Sequence, residues 1–342
     1  MNATYGEAIL HALRALLRHD PSVFVFGQGL WSPWYVGGTM TDLDKEFGRD
    51  RIIDSPVSEN AATGAAIGAA MSGMRPIVVH PRMDFMLLAT DPIVNQAANW
   101  NYLFNGAVPV PICIRSIINR GGEQGAQHSQ ALQALYAHIP GLKVVMPGTA
   151  RDAYQLLIDA VYDGNPVIYI DDRWCYGHAG ELPEGVDAQP IGTGAVLRPG
   201  TDLSIIAWSV MVGEALRAAE QLAADGISAE VVDLRSVKPW DRALVSSSVT
   251  RTRRAVVAEA AWATGGFAAE VASAVAADAH GRLESAVVRV ALPDCPAPSA
   301  RALEAAYYPT AATIVAAAHR ALGHPDPHPQ RTATVAVPGW VC

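Results

Sequence analysis

The sequence predicts an α/β protein with two domains, each built around a parallel sheet. Short apolar runs alternate with stretches of helical periodicity along most of the chain. The connections between them are short, which is typical of strand–helix–strand units whose sheet is covered on both faces. At 342 residues, the chain is long enough for two domains of ordinary size.

The composition excludes several classes of protein. Half of the residues are hydrophobic and 17% are charged, so a large core is available and disorder is not expected. A net charge of −8 argues against nucleic acid as the main partner. The N-terminus lacks the features of a signal peptide. The four cysteines lack metal-ligand spacing, which favours incidental thiols in a reducing cytoplasm, so we expect a cytoplasmic protein without a membrane partner.

The first domain is expected over residues 1–180. An apolar stripe predicts a helix over residues 4–18. Further helices are predicted at 40–47, 93–102 and 152–162, with one after Ser58 and one ending near 138. Strands are predicted at 23–26, 75–81, 110–115, 142–146 and 166–170.

A second, shorter alternation follows a segment rich in proline and glycine. That segment, residues 181–199, is expected to be a linker. The second domain is expected over residues 200–322, and an irregular, proline-rich tail over 323–342. Strands of the second domain are predicted at 203–208, 229–234, 255–259 and 286–290, and helices at 241–248, 267–279 and 310–322, with another ending near 225.

The stretch from Asp54 to Gly73 organises the first domain. Ser58 is a good N-cap, which places Glu59 in the first turn of a helix of small residues. Gly64 and Gly68 leave a helix face with almost no side chain, which another backbone or a flat ligand can approach closely. This helix is too short for a membrane span, which needs about 20 residues. A glutamate at a helix start has an ordinary alternative role as a favourable dipole partner.

Four features are expected outside the carboxyl ends of strands, where ligands of open parallel sheets gather. They are Gln28, Glu59, Phe85 and a polar loop that ends in His128. An acid, an aromatic ring and a histidine suit a flat heterocycle, although a core phenylalanine and a structural histidine are the ordinary alternatives. No dinucleotide fingerprint, Walker loop or nucleophile elbow is present. The chain also lacks a Gly-Asp-Gly motif followed by Asn-Asn, so another chain would have to hold a diphosphate.

Several motifs, in this order and spacing, resemble those of one family. They include Val57-Ser58-Glu59, Gly73-Met74-Arg75-Pro76, Met83-Asp84-Phe85, Asn95-Gln96-Ala97-Ala98, Gln127-His128-Ser129-Gln130 and Asp233-Leu234-Arg235 with Pro239. Over residues 4–322 the chain is similar to the beta subunits of the thiamine-diphosphate-dependent 2-oxoacid dehydrogenases of the pyruvate and branched-chain type, relatives of transketolase. The resemblance implies a pyrimidine-binding domain followed by a transketolase C-terminal-like domain.

The resemblance also implies an α2β2 heterotetramer. The alpha subunit would hold the diphosphate and Mg²⁺ of thiamine diphosphate, and this chain would bind the aminopyrimidine. Glu59 would share a proton with the pyrimidine ring, which requires burial that keeps the proton accessible. Phe85 would stack on that ring, and His128 would act near the substrate. Gln28 stands at a cofactor-facing position where the family usually has Glu, so an acidic role there is lost.

A potassium site is a further implication of the resemblance. Its ligands would be the backbone carbonyls of Ile112, Ala160, Val161, Asp163 and Asn165. The predicted helix ends at these last residues, where carbonyls are unpaired and carry the negative end of the dipole. An ordinary glycine cap is the open alternative.

The chain departs from the family in the loop before His128. Arg120 and Glu123 add charged groups that are expected to line the substrate site and to favour a polar or anionic acceptor. His80-Pro81-Arg82 is also unusual before Met83. In the complexes of the family the C-terminal region docks a lipoyl acyltransferase, whereas here it carries a proline-rich extension.

Three hypotheses follow. In the first, the chain is the beta subunit of an enzyme that decarboxylates a small 2-oxoacid and transfers the acyl unit to lipoamide. In the second, it belongs to a two-subunit, transketolase-like carboligase that passes a two-carbon unit to a sugar or another carbonyl acceptor. The third is a non-catalytic subunit, which the presence of Glu59 and His128 argues against.

Overall fold

The chain folds into two compact units that exchange short segments. The structure is a computed structural model that describes residues 1–325. The first unit contains residues 1–120, 127–191 and 237–239, and the second contains 121–126, 192–236 and the described residues from 240 onward. The predicted domain limits stay predictions, and no sequence signal indicated the two short exchanges. Most of the predicted tail lies outside the described residues.

The first unit contains seven helices and eight strands within residues 1–191. In chain order these are β1 (Asn2–Thr4), α1 (Tyr5–His19), β2 (Val23–Gly27), α2 (Leu43–Phe47), β3 (Ile52–Asp54), α3 (Glu59–Met71), β4 (Arg75–His80), α4 (Met83–Met86), α5 (Ala98–Leu103), β5 (Cys113–Ile118), α6 (Gln133–His138), β6 (Lys143–Val145), α7 (Ala150–Tyr162), β7 (Val167–Asp172) and β8 (Ala179–Glu181).

The second unit is a shorter alternation of strands and helices. Its described elements, together with the strand that returns to the first unit, are β9 (Ala195–Arg198), β10 (Leu203–Ala207), α8 (Val210–Ala224), β11 (Ala229–Asp233), β12 (Ser236–Lys238), α9 (Arg242–Thr252), β13 (Ala255–Trp262), α10 (Phe267–Asp278), β14 (Val288–Leu292), α11 (Arg301–Tyr307) and α12 (Ala311–Leu322). The strand order is β14-β13-β10-β11-β9, in which only β9 runs antiparallel to its neighbour.

The first unit is organised around a seven-stranded sheet of order β12-β6-β7-β5-β4-β2-β3. The pairs from β6 to β3 are all parallel. Every residue of β5 and β7 is buried, as expected for central strands covered on both faces. The carboxyl ends of β2, β4, β5 and β7 therefore meet along one edge, which carries the candidate site.

Both units are α/β with mainly parallel sheets, as predicted, but several element limits differ. The strand predicted at 110–115 is β5, which starts at Cys113 and continues to Ile118. The helix predicted at 93–102 is a π-helical stretch, Pro92–Ala97, followed by α5. Sequence patterns did not predict α11, nor the short strands β1, β8, β9 and β12, because three or four extended residues leave no periodicity.

No helix among residues 1–325 combines the length and the apolar character that a bilayer crossing needs. The expected cytoplasmic location stays a prediction.

A close approach of β2 and β4 brings the end of β2 to the site. Gly27 pairs with Val79, and a Cβ atom at Gly27 would lie 2.4 Å from the Val79 backbone oxygen. Real Cβ atoms do not approach a backbone oxygen so closely, so the strands would have to separate. The glycine is needed where Gln28 leaves the sheet.

We predict that Gly27→Ala lowers the free energy of unfolding by about 1–3 kcal/mol, because the methyl group overpacks against a neighbouring backbone. Gly164→Ala is the matched control, since a Cβ there meets nothing within 4 Å; its effect should stay within about 0.5 kcal/mol. Urea denaturation of the two variants and the wild-type chain measures both. Equal effects of the two substitutions would contradict the close-approach argument.

Candidate active site

One of the buried acids at the sheet edge is Glu59, the first residue of α3. Its side chain is buried, with 5% exposed. The amide nitrogen of Gln28 donates a hydrogen bond of 2.9 Å to Glu59 Oε1. Within residues 1–325, Glu59 Oε2 receives no hydrogen bond. Ser58 is the N-cap, as predicted, although its side chain makes no capping hydrogen bond.

Backbone contacts between the ends of β2 and β3 hold Gln28 against Glu59. The Ser55 amide donates to the Gly27 carbonyl at 2.7 Å, and the Gly29 amide donates to Asp54 Oδ1 at 2.7 Å. Gln28 thus supplies a neutral donor beside the buried carboxyl group. A carboxylate at this position would repel Glu59 instead of hydrogen-bonding to it.

A second buried group, which sequence reasoning missed, lies behind Glu59. His80 ends β4 with 2% of its surface exposed, and its Nε2 lies 3.2 Å from Thr63 Oγ1 on α3. Burial lowers the pKa of His80 to about 4, although the charge of Glu59 acts in the opposite direction. The imidazole is therefore neutral near pH 7. The only signal in the sequence was a histidine at a strand end before proline.

The aromatic ring and the histidine expected at the site do meet. Phe85 of α4 and His128 lie edge to face, with ring centroids 5.3 Å apart and planes at 82°. Asp84 Oδ1 accepts hydrogen bonds from the backbone and the side-chain nitrogen of Gln130, at 3.2 and 2.9 Å. These bonds fasten the loop that carries His128 to α4.

His128 lies outside the helices of the first unit. It lies in a turn, and α6 begins only at Gln133, so a helix does not start at this histidine. Burial raises the pKa of Asp84, while the hydrogen bonds from Gln130 and the nearby His128 act in the opposite direction. His128 thus lies within electrostatic reach of a buried carboxyl group.

Arg120 has a partner within the protein. Its side chain is buried and ion-paired with Asp172 at the end of β7. Glu123 belongs to residues 121–126 of the second unit and has a left-handed backbone, with φ of 62°. A guanidinium already matched by a buried carboxylate offers little to an incoming anion, so the substrate roles of Arg120 and Glu123 stay predictions that this arrangement does not favour.

Another buried ion pair fixes the loop between β2 and α2. The Arg115 guanidinium is fully buried and bonds both oxygens of Asp171, at 2.9 and 2.8 Å. It also donates to Thr39 Oγ1 at 2.8 Å and to the Tyr176 hydroxyl at 3.0 Å. Removal of one partner of such a pair leaves a buried charge, which is strongly destabilising. This network holds residues near 39 against β5.

The five carbonyls expected to bind potassium are positioned mainly by α7. The Val161 carbonyl accepts a bond from Arg75 Nη1 at 2.8 Å, and the Ile112 carbonyl accepts the Val167 amide at 3.0 Å. Asp163, the C-cap of α7, is extended, with φ of −61° and ψ of 142°, and Gly164 after it does not have a positive φ. The alternative of a left-handed glycine cap is therefore wrong, while potassium binding stays a prediction. Asn165 and Ala160 lie on the same segment.

Two domain families match the chain. Residues 1–176 match the transketolase pyrimidine-binding domain, and residues 192–314 match the transketolase C-terminal domain.

Similar proteins cover most of the chain. The beta subunit of acetoin:2,6-dichlorophenolindophenol oxidoreductase from Cupriavidus necator is 41% identical, over 92% of this chain and 96% of its own. The mitochondrial pyruvate dehydrogenase E1 component subunit beta-2 from Oryza sativa is 40% identical, over 93% of this chain and 86% of its own. A split-gene transketolase, solved as an inactive beta4 tetramer, superposes with a TM-score of 0.75 at 27% identity, covering 94% of this chain and 98% of that one.

The depressed pKa of His80 predicts a pH dependence of stability. An unfolded histidine titrates near 6.5, so between about pH 6.5 and 4 the unfolded chain binds more protons than the folded one. The free energy of unfolding should therefore fall as the pH drops through this window, by up to about 3 kcal/mol from this residue.

Denaturation curves between pH 7 and 4 measure this effect. His80→Gln should flatten the pH dependence relative to the wild-type chain, whereas His178→Gln, at an exposed position, should leave it unchanged. Identical pH profiles for wild type and His80→Gln would contradict the burial argument.

Proposed function

Because this chain belongs to the beta-subunit family of the pyruvate and acetoin dehydrogenases, built from the transketolase pyrimidine-binding and C-terminal domains, we propose that it is the beta subunit of a thiamine-diphosphate-dependent enzyme that decarboxylates a small 2-oxoacid. The acyl unit would pass to lipoamide. The observation that carries this proposal is the buried Glu59 at the carboxyl edge of the sheet, with one oxygen bonded by Gln28 and the other without a donor among residues 1–325.

The residues at this edge fit the aminopyrimidine of the cofactor. Glu59 Oε2 is an acceptor that receives no hydrogen bond among residues 1–325, and the half-buried Phe85 ring belongs to the same unit. The exposed face of α3 at Gly64 and Gly68 has nothing within 4 Å of an added Cβ, so a flat group can approach it closely. When bound, the cofactor supplies a nucleophilic carbon for carbonyl addition and an electron sink for loss of carbon dioxide.

The roles of this chain's own residues follow from their contacts. Glu59 would hold a proton at the pyrimidine ring nitrogen, and Gln28 would keep the carboxyl group in one orientation through Oε1. Phe85 would pack on the ring. His128 would donate a hydrogen bond or a proton to the substrate oxygen, on a loop that Asp84 and Gln130 hold in place.

A partner subunit would complete the site. Among residues 1–325, no three His, Cys, Asp or Glu side chains come together as ligands of a metal ion. We therefore assign the diphosphate and Mg²⁺ to an alpha subunit in an α2β2 assembly. Large apolar side chains near the site are exposed in this chain, among them Val57 at 80% and Leu88 at 64%. Exposed apolar residues that cluster mark surfaces that bind other proteins.

Two finer assignments extend the proposal. Potassium would use the second lone pairs of the Val161 and Ile112 carbonyls, since the Arg75 and Val167 donors occupy only one lone pair each. A lipoyl acyltransferase would be the acyl acceptor of the complex.

The carboligase remains a second candidate, since a split-gene transketolase is among the similar structures. In that case the two-carbon unit would pass to a sugar or another carbonyl acceptor. The same assembly offered a lipoyl domain or an aldose phosphate would separate the two, because only one of them should accept the unit.

The direct test is turnover by the chain assembled with its alpha subunit, thiamine diphosphate and Mg²⁺. Pyruvate, with an artificial electron acceptor, should give steady reduction of that acceptor. Absence of turnover with every small 2-oxoacid tried would reject the proposed function.

Glu59→Gln should reduce this turnover by roughly 10²–10⁴-fold, because an amide cannot exchange the proton that the ring nitrogen needs. Assembly with the alpha subunit, followed by gel filtration, should be unchanged. Glu220→Gln, at an exposed position on α8, is the matched control and should retain full activity. More than a tenth of wild-type turnover in an assembled Glu59→Gln enzyme would rule out the assignment.

A further inference from the structure

Two arginines at the carboxyl edge of the first unit form no ion pair with an acidic side chain among residues 1–325. Arg82 follows β4 and is the N-cap of α4. Its Nη1 donates to the Pro81 carbonyl at 2.8 Å. Its Nε is buried and has no hydrogen-bond partner in the described part of the chain, residues 1–325.

Arg173 is the first residue after β7, next to Asp172. Its Nη2 donates to the Tyr35 carbonyl at 2.6 Å. Its Nε is also buried, without a partner among residues 1–325. A Cβ added to Gly37 would lie 3.4 Å from this nitrogen, so the loop at 35–37 packs closely over the guanidinium.

The two guanidinium groups are close enough to affect each other. Burial lowers the pKa of Arg82, and the charge of Arg173 lowers it further, against smaller opposing effects of Tyr35 and Asp84. Among residues 1–325, no carboxylate forms an ion pair with either of them. Partly buried like charges that no carboxylate ion-pairs cost free energy, which a bound anion would recover.

The neighbouring arginines show the contrast. Arg115 is paired with Asp171, and Arg120 with Asp172. Arg115 lies on β5 and Arg120 shortly after it, and both carboxylates lie at the end of β7. Arg115 and Arg120 therefore each have a buried carboxylate partner, whereas no such ion pair is present for Arg82 and Arg173 among residues 1–325.

Arg82 lies next to candidate catalytic groups along the chain. Arg82 directly precedes the helix that presents Phe85. Asp84, two residues further on, interacts electrostatically with both Arg82 and His128. An anion bound by Arg82 would thus be near the residues assigned to the substrate.

We propose that Arg82 and Arg173 together bind the anionic group, a carboxylate or a phosphate, of the substrate on which this enzyme acts. The guanidinium fork suits both anions, because it donates two parallel hydrogen bonds to a pair of oxygens. This proposal rests on the proposed function for the identity of the site. It replaces Arg120 as the arginine that selects an anionic substrate, since Arg120 is held by Asp172.

The test uses the chain assembled with its alpha subunit, thiamine diphosphate and Mg²⁺. Arg82→Gln and Arg173→Gln remove the charge, and Arg82→Lys and Arg173→Lys keep it without the fork. Arg217→Gln is the matched control, because Arg217 is half-exposed and paired with Glu214 on α8. Calorimetry with inorganic phosphate measures anion binding, and steady-state kinetics measure KM and kcat for pyruvate and for ribose 5-phosphate.

Each glutamine variant should weaken phosphate binding and raise one KM by about ten- to a hundredfold, with kcat within about twofold. The phosphate affinity and the KM of the lysine variants should lie between those of wild type and of the glutamine variants. Arg217→Gln should match wild type in both. A rise in the KM for pyruvate identifies the carboxylate of the donor as the bound anion. A rise in the KM for ribose 5-phosphate alone, while the KM for ribose stays unchanged, identifies the phosphate of an acceptor as the bound anion.

Unchanged phosphate binding and unchanged KM values in both glutamine variants would overturn the proposal. Loss of assembly with the alpha subunit, while phosphate binding persists, would also overturn it, since the anion would then be an acidic side chain of the partner. A wild-type assembly that binds phosphate through these arginines but turns over no 2-oxoacid would reject the proposed function and leave the anion site standing.

Discussion

Parallel pairing across the first unit is the constraint on which the candidate site depends. Because β3, β2, β4, β5 and β7 run in the same direction, their carboxyl ends meet at one edge, and residues distant in sequence become neighbours. The close contact of Gly27 with Val79 then delivers Gln28 to Glu59. The hydrogen bond between Gln28 and Glu59 requires that β2 and β3, which precede these residues, end in register at the same edge.

The buried ionisable groups at this edge differ in whether other groups of the chain satisfy them. Arg115 and Asp171 form a fully buried pair that fixes a loop, and His80 is kept neutral by burial. These groups are satisfied within the chain. Glu59 Oε2 has no hydrogen-bond donor and Arg82 Nε has no acceptor among residues 1–325, which is why we propose that both residues bind groups from outside the chain.

Sequence patterns predicted the α/β alternation, because a buried strand followed by an amphipathic helix leaves a local signal. They also predicted Glu59, Phe85 and His128 as site residues from short motifs at strand ends, and these roles stay predictions. They failed where a partner is distant in sequence: the Asp172 that binds Arg120 is 52 residues away, and nothing local indicates the pairing. The role of His80 was missed for the same reason, since its burial depends on packing against α3.

The central claim is that Glu59 faces the cofactor through Oε2. The most direct measurement is a crystal structure of the chain assembled with its alpha subunit, thiamine diphosphate and Mg²⁺. The account predicts that Oε2 lies within about 2.5–3.2 Å of a pyrimidine ring nitrogen, with Gln28 still bonded to Oε1. A pyrimidine ring bound away from Glu59, or a Glu59 carboxyl group turned to another protein group in the complex, would contradict it.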